Sequence, residues 1–465
     1  MKEACGVVGI VAPNRPVAHL CYDALYALQH RGQESAGMAT FANEQITVVK
    51  DNGLVSQVFD ESTLRALNAS IIIGHTRYST SGSANWTAAQ PVYRSAGASG
   101  FAIAHNGNLT NTIALADAAG IEFSSMLSDS DLVAELLARE VEGGAALDDA
   151  LASVLARVEG AFSMVVLESR CIHAVRDPFG FRPLCLGRFG SEEAPTGWMV
   201  ASESPALDVA GATFVREIAP GEMVSITEAG LSTRQLLEPA APKQKLCIFE
   251  FVYFARPDAY LMGHQVHTTR RRAGELLAQQ SPVPADLVMG VPDSGVPAAE
   301  GYAKASGIPF GYGLVKNRYI GRTFIAPDQS ERTAGVRRKF NPLRENIEGQ
   351  RLIVVDDSIV RGTTTKALVA LLRDAGAAEV HIRISSPPFV WPCFYGIDTP
   401  TRDELLAAHH SIDEMNDFIG ADSLEYITLE NLRAAIRLDG ECCDACLTGA
   451  YPAPIPVAIG VGSRW

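Results

Sequence analysis

Apolar residues recur at two different spacings along the chain, and the change of spacing divides the sequence into two halves. In the first half, short apolar runs that are typical of strands dominate, and two helices lie between them. Apolar residues at helical spacing predict these helices over 17–28 and over about 130–140. Many strands with few helices favour an α+β sandwich, in which helices cover mainly antiparallel sheets. The clearest strand-like runs are 71–73, 101–104 and 162–167.

The second half alternates apolar strands with helices. The runs 287–291 and 352–355 are each followed by a predicted helix, and 380–384 is a third strand. Alternation of this kind predicts an α/β domain with a parallel, doubly wound sheet. From about Thr401 the pattern is helical, and it ends in a cluster of cysteines.

The length of 465 residues is more than one hydrophobic core usually organises, so we expect two domains. Residues 238–245 carry two prolines and show no periodicity, which is typical of a linker. We therefore predict one domain over 5–237 and a second over 246–465, with 1–4 as a leader that is removed.

Composition narrows the class of protein further. The net charge of −14 argues against general nucleic-acid binding, and no apolar stretch is long enough to span a bilayer. The start is a poor signal peptide, because Glu3 is acidic and the apolar run that follows is short. We expect a cytoplasmic protein with no nucleic-acid or membrane partner, in which disulfides between its nine cysteines are disfavoured.

Cys5 is a candidate nucleophile because it stands so near the start of the chain. A cysteine with a free α-amine is a complete pair of nucleophile and base, since the amine has an unperturbed pKa of roughly 7.7–8.0. As encoded, the nitrogen of Cys5 is an amide, which cannot serve as the base. The alternative is that Cys5 is a small hydrophobe on a buried strand.

The strongest local motif follows the apolar run 352–355. Two adjacent carboxylates, Asp356 and Asp357, come directly after it, and small hydroxyl residues and a helix follow. Open α/β sheets bind ligands at the carboxyl ends of their strands, and N–H groups at a helix start favour phosphate. The acids suit ribose hydroxyls or, directly or through water, Mg²⁺. A turn that merely caps the helix would explain less of the motif.

This segment resembles the phosphoribosylpyrophosphate-binding motif of the phosphoribosyltransferases. In that family the acids contact the ribose, and the loop that follows holds the 5′-phosphate. Residues 292–295 resemble the pyrophosphate loop, and 316–325, with Lys316 and Arg322, resembles the flexible loop that closes over the substrate. The binding residues that the resemblance implies are Asp293, Ser294, Gly295, Asp356, Asp357, Ser358, Arg361, Gly362, Thr363 and Thr364.

The first half is similar to the N-terminal-nucleophile glutaminases, through Cys5, the loop 29–37 and three further segments. By this resemblance Arg77 binds the glutamine α-carboxylate and Asp129 binds its α-ammonium. Asn106 and Gly107 form the oxyanion hole, which the chemistry of amide hydrolysis requires. Asp129 is also expected to help cap the predicted helix. His30, His75 and His105 are expected to be structural, since the α-amine fills the role of base.

Together the halves resemble the glutamine phosphoribosylpyrophosphate amidotransferases. This family hydrolyses glutamine and transfers the ammonia to phosphoribosylpyrophosphate, giving 5-phosphoribosylamine in the first committed step of purine synthesis. The resemblance implies Mg²⁺ near Ser294, Asp356 and Asp357, purine nucleotides as feedback inhibitors, and a homotetramer or homodimer. From its position at the domain junction, we expect Tyr253 to line the path of ammonia between the two sites. Glucosamine-6-phosphate synthase and asparagine synthetase share only the glutaminase half. A phosphoribosylpyrophosphate sensor or an inactive scaffold stays open as another class.

Four cysteines occupy positions that match one type of this family, in which they hold a 4Fe–4S cluster. They are Cys247, Cys393, Cys443 and Cys446. Spacing alone does not separate such a cluster from zinc, and four solitary thiols are the third alternative. Cys442 could take the place of Cys443 as a ligand, although Cys443 keeps the two-residue gap to Cys446. The implied cluster is structural, clamping the end of the chain to the junction between the domains.

Overall fold

The structure is a computed structural model of the chain. It describes residues 5–78, 86–317, 338–397, 399, 401–438 and 440–455. The leader 1–4 and Arg322 therefore lie outside the described residues. Within the described residues, no helix combines the length and the apolar character needed to cross a membrane.

Thirteen strands lie in the described part of the first half and ten in that of the second. In chain order the first set is β1 (Gly6–Val11), β2 (Ser35–Ala42), β3 (Gln45–Asn52), β4 (Ile71–Arg77), β5 (Val92–Arg94), β6 (Phe101–Leu109), β7 (Gly160–Glu168), β8 (Cys171–Arg176), β9 (Cys185–Gly190), β10 (Pro195–Ala201), β11 (Thr213–Glu217), β12 (Glu222–Thr227) and β13 (Gly230–Gln235). The second set is β14 (Leu246–Cys247), β15 (Tyr260–Leu261), β16 (His264–Gln265), β17 (Leu287–Gly290), β18 (Leu314–Lys316), β19 (Phe340–Pro342), β20 (Arg351–Asp356), β21 (Glu379–Ile384), β22 (Ser423–Tyr426) and β23 (Cys442–Cys443).

The helices form layers outside these sheets. They are α1 (Val17–Ala27), α2 (Val55–Val58), α3 (Glu61–Ala66), α4 (Thr112–Ala118), α5 (Asp129–Glu142), α6 (Leu147–Leu155), α7 (Ser204–Ala210), α8 (Val266–Gln280), α9 (Val296–Ser306), α10 (Arg344–Ile347), α11 (Thr363–Asp374), α12 (Leu406–His409), α13 (Ile412–Ile419), α14 (Leu429–Ile436) and α15 (Ala445–Thr448). A π-helix, Glu250–Phe254, and the 3₁₀ turns Trp86–Ala88, Phe123–Ser125 and Arg402–Glu404 complete the set.

The first half is a sandwich of two antiparallel sheets, ordered β11-β9-β10-β1-β4-β2-β3 and β13-β12-β8-β7-β6-β5. Side chains of β1 alternate between its two faces. Val7 and Val11 pack against the second sheet, whereas Val8 and Ile10 pack against α1 and α7. Helices α5 and α6 cover the other sheet. The predicted α+β sandwich is confirmed, although it contains more helices than the two predicted.

The second half contains a parallel sheet ordered β17-β20-β21-β22. Leu352 and Val354 of β20 pack with α11, whereas Ile353 and Val355 face α8 and α9. Helices on both faces confirm the predicted α/β architecture with a parallel sheet. The purely helical pattern predicted after Thr401 is wrong over β22, because this short strand extends the sheet beside β21.

Candidate active sites

Cys5 lies immediately before β1 at the rim of the sandwich, and only 8% of it is exposed. Its Sγ is 3.4 Å from the carbonyl oxygen of Tyr78 and 3.5 Å from the Tyr78 nitrogen, just beyond the end of β4. Burial raises the pKa of the thiol, although the Tyr78 backbone and Arg77 partly oppose the effect. Because the thiol is protonated near neutrality, attack on a substrate requires a base.

Arg77 and Asp129 come close enough to Cys5 to act on its thiol, Arg77 lowering its pKa and Asp129 raising it. Arg77 ends β4, which pairs with β1. Asp129 begins α5, and its carboxylate accepts the N–H groups of Leu109 and Ser130 at 3.2 and 2.7 Å. The helix cap itself is Ser128, whose hydroxyl accepts the Asp131 N–H. The predicted capping role of Asp129 is therefore limited to the first-turn bond to Ser130.

Asn106 lies on β6, which packs across the sandwich from β1. It is 1% exposed, and neither its amide nitrogen nor its amide oxygen has a hydrogen-bond partner among the described residues. An unpaired buried amide costs about 1–3 kcal/mol, so a ligand is expected to satisfy it. At Gly107, φ is +154°, and a Cβ there would lie 2.0 Å from the Ala161 carbonyl oxygen. Only glycine therefore fits at position 107.

The buried histidines beside this site are neutral. Burial lowers the pKa of His75 to about 3, and burial also lowers that of His105. His75 Nε2 lies 3.1 Å from the His105 carbonyl oxygen, so the pair joins β4 to β6. His30 contacts Glu203 at 2.8 Å. These contacts are compatible with the structural role that we predict for the three histidines.

A network of buried charge adjoins Cys5, and the sequence analysis missed it. The Arg31 Nε donates to the Cys5 carbonyl oxygen at 3.0 Å. The same guanidinium binds Glu203 and Glu250, at 2.5 and 2.8 Å. Arg182 also contacts Glu250, at 3.4 Å. Arg31 belongs to the loop 29–37. The resemblance of this loop to the glutaminases is the sequence feature that indicates this region.

The acids of the second site lie at the carboxyl end of β20, as predicted. Asp357 accepts hydrogen bonds from the hydroxyls of Ser294 and Ser358, each at 2.5 Å. Ser294 follows β17, which is the parallel neighbour of β20, so the two loops converge at one sheet edge. Burial and the neighbouring carboxylate of Asp357 raise the pKa of Asp356. A cation bound here would relieve the repulsion between the two acids, so the pair fits Mg²⁺.

The phosphate-loop residues surround the start of α11. Gly362 precedes the helix with φ +73°, and Thr363 and Thr364 begin it. Their N–H groups lie at the helix end that favours phosphate. Two cations of the site are held by carboxylates: Arg361 contacts Glu404 at 3.1 Å, and Lys316 contacts Asp293 at 2.5 Å. The described residues of the predicted site thus lie around one edge of the sheet, where the side chains of Arg361 and Lys316 are paired with carboxylates.

The four predicted cluster cysteines line one cavity, together with Phe181, Arg182, Tyr395, Ile397, Ala445 and Tyr451. Burial raises the pKa of Cys247, Cys443 and Cys446, and the thiols of the set raise it further. No three metal-ligating groups among the described residues are close enough to hold a single ion. Four thiols on one cavity are the type of ligand set found both in zinc sites and in iron–sulfur clusters.

Cys442 does not line this cavity. It pairs with Leu246 across a short parallel ribbon, whereas Cys443 pairs with Cys247. Because neighbouring residues of a strand point to opposite faces, only Cys443 is directed to the same side as Cys247. The structure therefore favours Cys443 over Cys442.

Comparisons with known proteins agree with this geometry. A glutamine amidotransferase domain model matches residues 75–209, and a phosphoribosyl transferase domain model matches residues 269–385. The chain is therefore an enzyme that joins a glutamine amidotransferase to a phosphoribosyltransferase.

Relatives along the whole chain define the enzyme more closely. The amidophosphoribosyltransferase of Synechococcus elongatus is 49% identical over 98% of this chain and 93% of its own length. That of Mycobacterium tuberculosis is 50% identical over 100% of this chain and 89% of its own. The Bacillus subtilis glutamine phosphoribosylpyrophosphate amidotransferase, solved with ADP and GMP, superimposes with a TM-score of 0.89 at 42% identity, covering 98% of this chain and 99% of that one. The chain belongs to the amidophosphoribosyltransferase family, which catalyses the first step of purine biosynthesis.

Glu203→Gln should destabilise the protein in a pH-dependent way. Burial alone would raise the pKa of Glu203, but His30 and Arg31 outweigh it and lower the pKa. The carboxylate therefore stabilises the fold above its unfolded pKa of about 4.3, and this contribution is lost as the pH falls toward the folded value. We expect a loss of about 3–5 kcal/mol at pH 7 that shrinks in acid.

Urea midpoints of parent and variant at pH 7 and at about pH 3, well below the unfolded pKa, measure this difference. Glu61→Gln, which changes an exposed carboxylate paired with Arg65, is the control and should have little effect. A Glu203→Gln deficit that is the same at both pH values would contradict the assignment.

Proposed function

We propose that Cys5 is the nucleophile of glutamine hydrolysis. Its thiol attacks the side-chain amide of glutamine, and its own α-amine takes the thiol proton and passes it to the departing ammonia. Asn106 and the Gly107 N–H stabilise the oxyanion, while Arg77 and Asp129 hold the α-carboxylate and α-ammonium. Water then hydrolyses the thioester to glutamate. The single observation that carries this proposal is the buried amide of Asn106, which has no hydrogen-bond partner among the described residues and lies across the sandwich from β1, the strand that Cys5 precedes.

The ammonia passes internally to the second site, and Tyr253 lines its path. There it attacks C1 of the ribose, and pyrophosphate departs. Asp356 and Asp357 hold the ribose, residues 358 and 361–364 hold the 5′-phosphate, and 293–295 holds the pyrophosphate. Mg²⁺, bound by Ser294, Asp356 and Asp357, would neutralise charge on the leaving group. Closure of 316–325, with Lys316 and Arg322, excludes water from the reacting carbon.

The domain limits that we propose are 5–237 and 246–465. Strand β13 ends at Gln235 and β14 begins at Leu246, and the residues between them form neither helix nor strand. This supports the linker 238–245.

Cys5→Ala should abolish glutamine-dependent formation of phosphoribosylamine and leave ammonia-dependent formation within about twofold of the parent. The reason is that the second site receives ammonia directly when it is supplied in solution. Pyrophosphate release with glutamine or with ammonium salt measures both activities. If both activities disappear in a folded variant, the two-site assignment is wrong.

The nucleophile assignment also requires that residues 1–4 be removed. The intact mass of the protein tests this removal. In a glutamine-active sample the mass should correspond to a chain that begins at Cys5. A mass that corresponds to a chain beginning at Met1 would contradict the role of the α-amine.

Asp357→Asn should reduce ammonia-dependent synthesis by roughly 10–100-fold, because a neutral amide holds Mg²⁺ and ribose hydroxyls less well. Alkylation of Cys5 by an electrophilic glutamine analogue should persist, since that site is intact. The matched control is Asp286→Asn, whose carboxylate pairs with Arg351 at the opposite end of β20. Equal losses in the two variants would contradict the assignment.

We further propose that Cys247, Cys393, Cys443 and Cys446 hold a 4Fe–4S cluster, which would cross-link the end of the chain to the domain junction. The cavity that the four thiols share supports it. Cys443→Ser should lose iron and acid-labile sulfide, whereas Cys442→Ser should retain both, because Cys442 does not face the cavity. Iron and sulfide assays with visible absorption test this pair. Zinc in place of iron, or equal loss in both variants, would overturn it.

Regulation and assembly follow from the family. The Bacillus subtilis relative was solved with ADP and GMP, which supports purine nucleotides as feedback inhibitors of this chain. We propose a homo-oligomer, either tetramer or dimer.

A further inference from the structure

Four fully buried charged side chains meet at the junction of the two halves. Arg31, Arg182, Glu203 and Glu250 are each no more than 1% exposed. Burial of unpaired charge costs several kcal/mol per ion, so each of these groups depends on the others. None of the four contacts the substrate in the proposed mechanism.

Glu250 stands at the centre of this group. It begins the π-helix Glu250–Phe254, three residues after Cys247. Its Oε1 accepts from Arg31 at 2.8 Å and from Arg182 at 3.4 Å, and its Oε2 accepts from Arg31 at 2.9 Å. One carboxylate from the second half therefore orients two guanidiniums of the first. π-helical turns are frequent at functional sites.

The guanidinium of Arg31 contacts the backbone of the proposed nucleophile, Cys5. The Nε of Arg31 donates to the backbone carbonyl oxygen of Cys5 at 3.0 Å. This carbonyl belongs to the residue that carries both the thiol and the α-amine. Because the two remaining arms of Arg31 are held by Glu203 and Glu250, its position fixes the backbone of Cys5.

The guanidinium of Arg182 binds a segment that packs against the proposed oxyanion hole. Arg182 donates twice to the Tyr395 carbonyl oxygen, at 3.1 and 2.7 Å. The next residue, Gly396, packs so closely that a Cβ there would lie 3.0 Å from the Gly107 carbonyl carbon. Asn108 Nδ2 donates to the Phe394 carbonyl oxygen at 3.0 Å. The segment 394–396 is thus held by these contacts against β6, the strand that carries Asn106 and Gly107.

We propose that Glu250 is a positioning residue of the glutaminase site. Through Arg31 and Arg182 it sets the place of the Cys5 nucleophile relative to the oxyanion hole. This rests on the roles proposed above for Cys5, Asn106 and Gly107. Displacement of about 1 Å between reacting groups can cost 10²-fold in rate, so a buried link that fixes both sides affects turnover more than binding.

Glu250→Gln keeps the size of the side chain and removes its charge. We expect the glutamine-dependent kcat to fall at least tenfold while the KM for glutamine stays within about twofold, because Arg77 and Asp129 are untouched. Ammonia-dependent kcat should also stay within about twofold. Glu222→Gln is the matched control: it breaks a two-bond pair with Arg216, between β11 and β12 of the first half, and should leave both kcat values unchanged.

Alkylation of Cys5 by an electrophilic glutamine analogue gives a readout that does not depend on the second site. The rate should fall about tenfold in Glu250→Gln and less in Glu250→Asp, which restores the charge with a shorter reach. Iron content should equal that of the parent. If Glu250→Gln does not fold, Arg182→Lys takes its place, since it keeps the charge but loses the paired donors to Tyr395.

Unchanged alkylation and glutamine turnover, or equal losses of the glutamine-dependent and ammonia-dependent kcat, would overturn the role of Glu250. A raised KM with unchanged kcat would also overturn it. Cys5→Ala distinguishes this failure from that of the proposed function: retained glutamine turnover in Cys5→Ala removes Cys5 as the nucleophile, whatever Glu250→Gln does.

Discussion

The contact between the Arg31 guanidinium and the backbone of Cys5 is the interaction on which the first site depends. In the proposed mechanism Cys5 is the first residue of the mature chain, so the interaction that fixes its position must come from elsewhere in the fold. Arg31 provides this interaction because it is buried and is bound by Glu203 and Glu250. Because burial of its charge is costly without both carboxylates, the position of Cys5 depends on Glu250 of the second half.

The two sites follow different rules of sheet architecture. The phosphoribosyl site uses the common edge of a parallel sheet, where the loops after β17 and β20 converge and Ser294 meets Asp357. The glutaminase site lies across an antiparallel sandwich, between β1 and β4 of one sheet and β6 of the other. The first arrangement requires only neighbouring strands. The glutaminase site requires that two sheets pack in one fixed arrangement, so its geometry depends more on the contacts between the two halves.

This difference explains what the sequence could predict. The acids after 352–355 form one contiguous motif, and the strand–helix alternation around them is local, so site and sheet edge were both predictable. Glu203 and Glu250 were not, because a buried carboxylate has the same sequence signature as an exposed one until its partner is known. The choice of Cys443 over Cys442 had the same difficulty. It depends on the pairing of β23 with β14, in which Cys247 lies opposite Cys443, 196 residues further along the chain.

The π-helix Glu250–Phe254 connects the two halves through buried polar groups. Cys247 precedes it, Glu250 begins it, and the N–H of Arg256, two residues past its end, donates to Glu203 at 2.9 Å. Arg270 of α8 donates to the carbonyl oxygens of Phe251 in the π-helix and of Ala255 just after it. Ammonia is neutral, small and soluble in water, so a gap between the halves would release it. In the proposed mechanism ammonia crosses between the halves, and a segment fixed at both ends by buried charge keeps the halves together there.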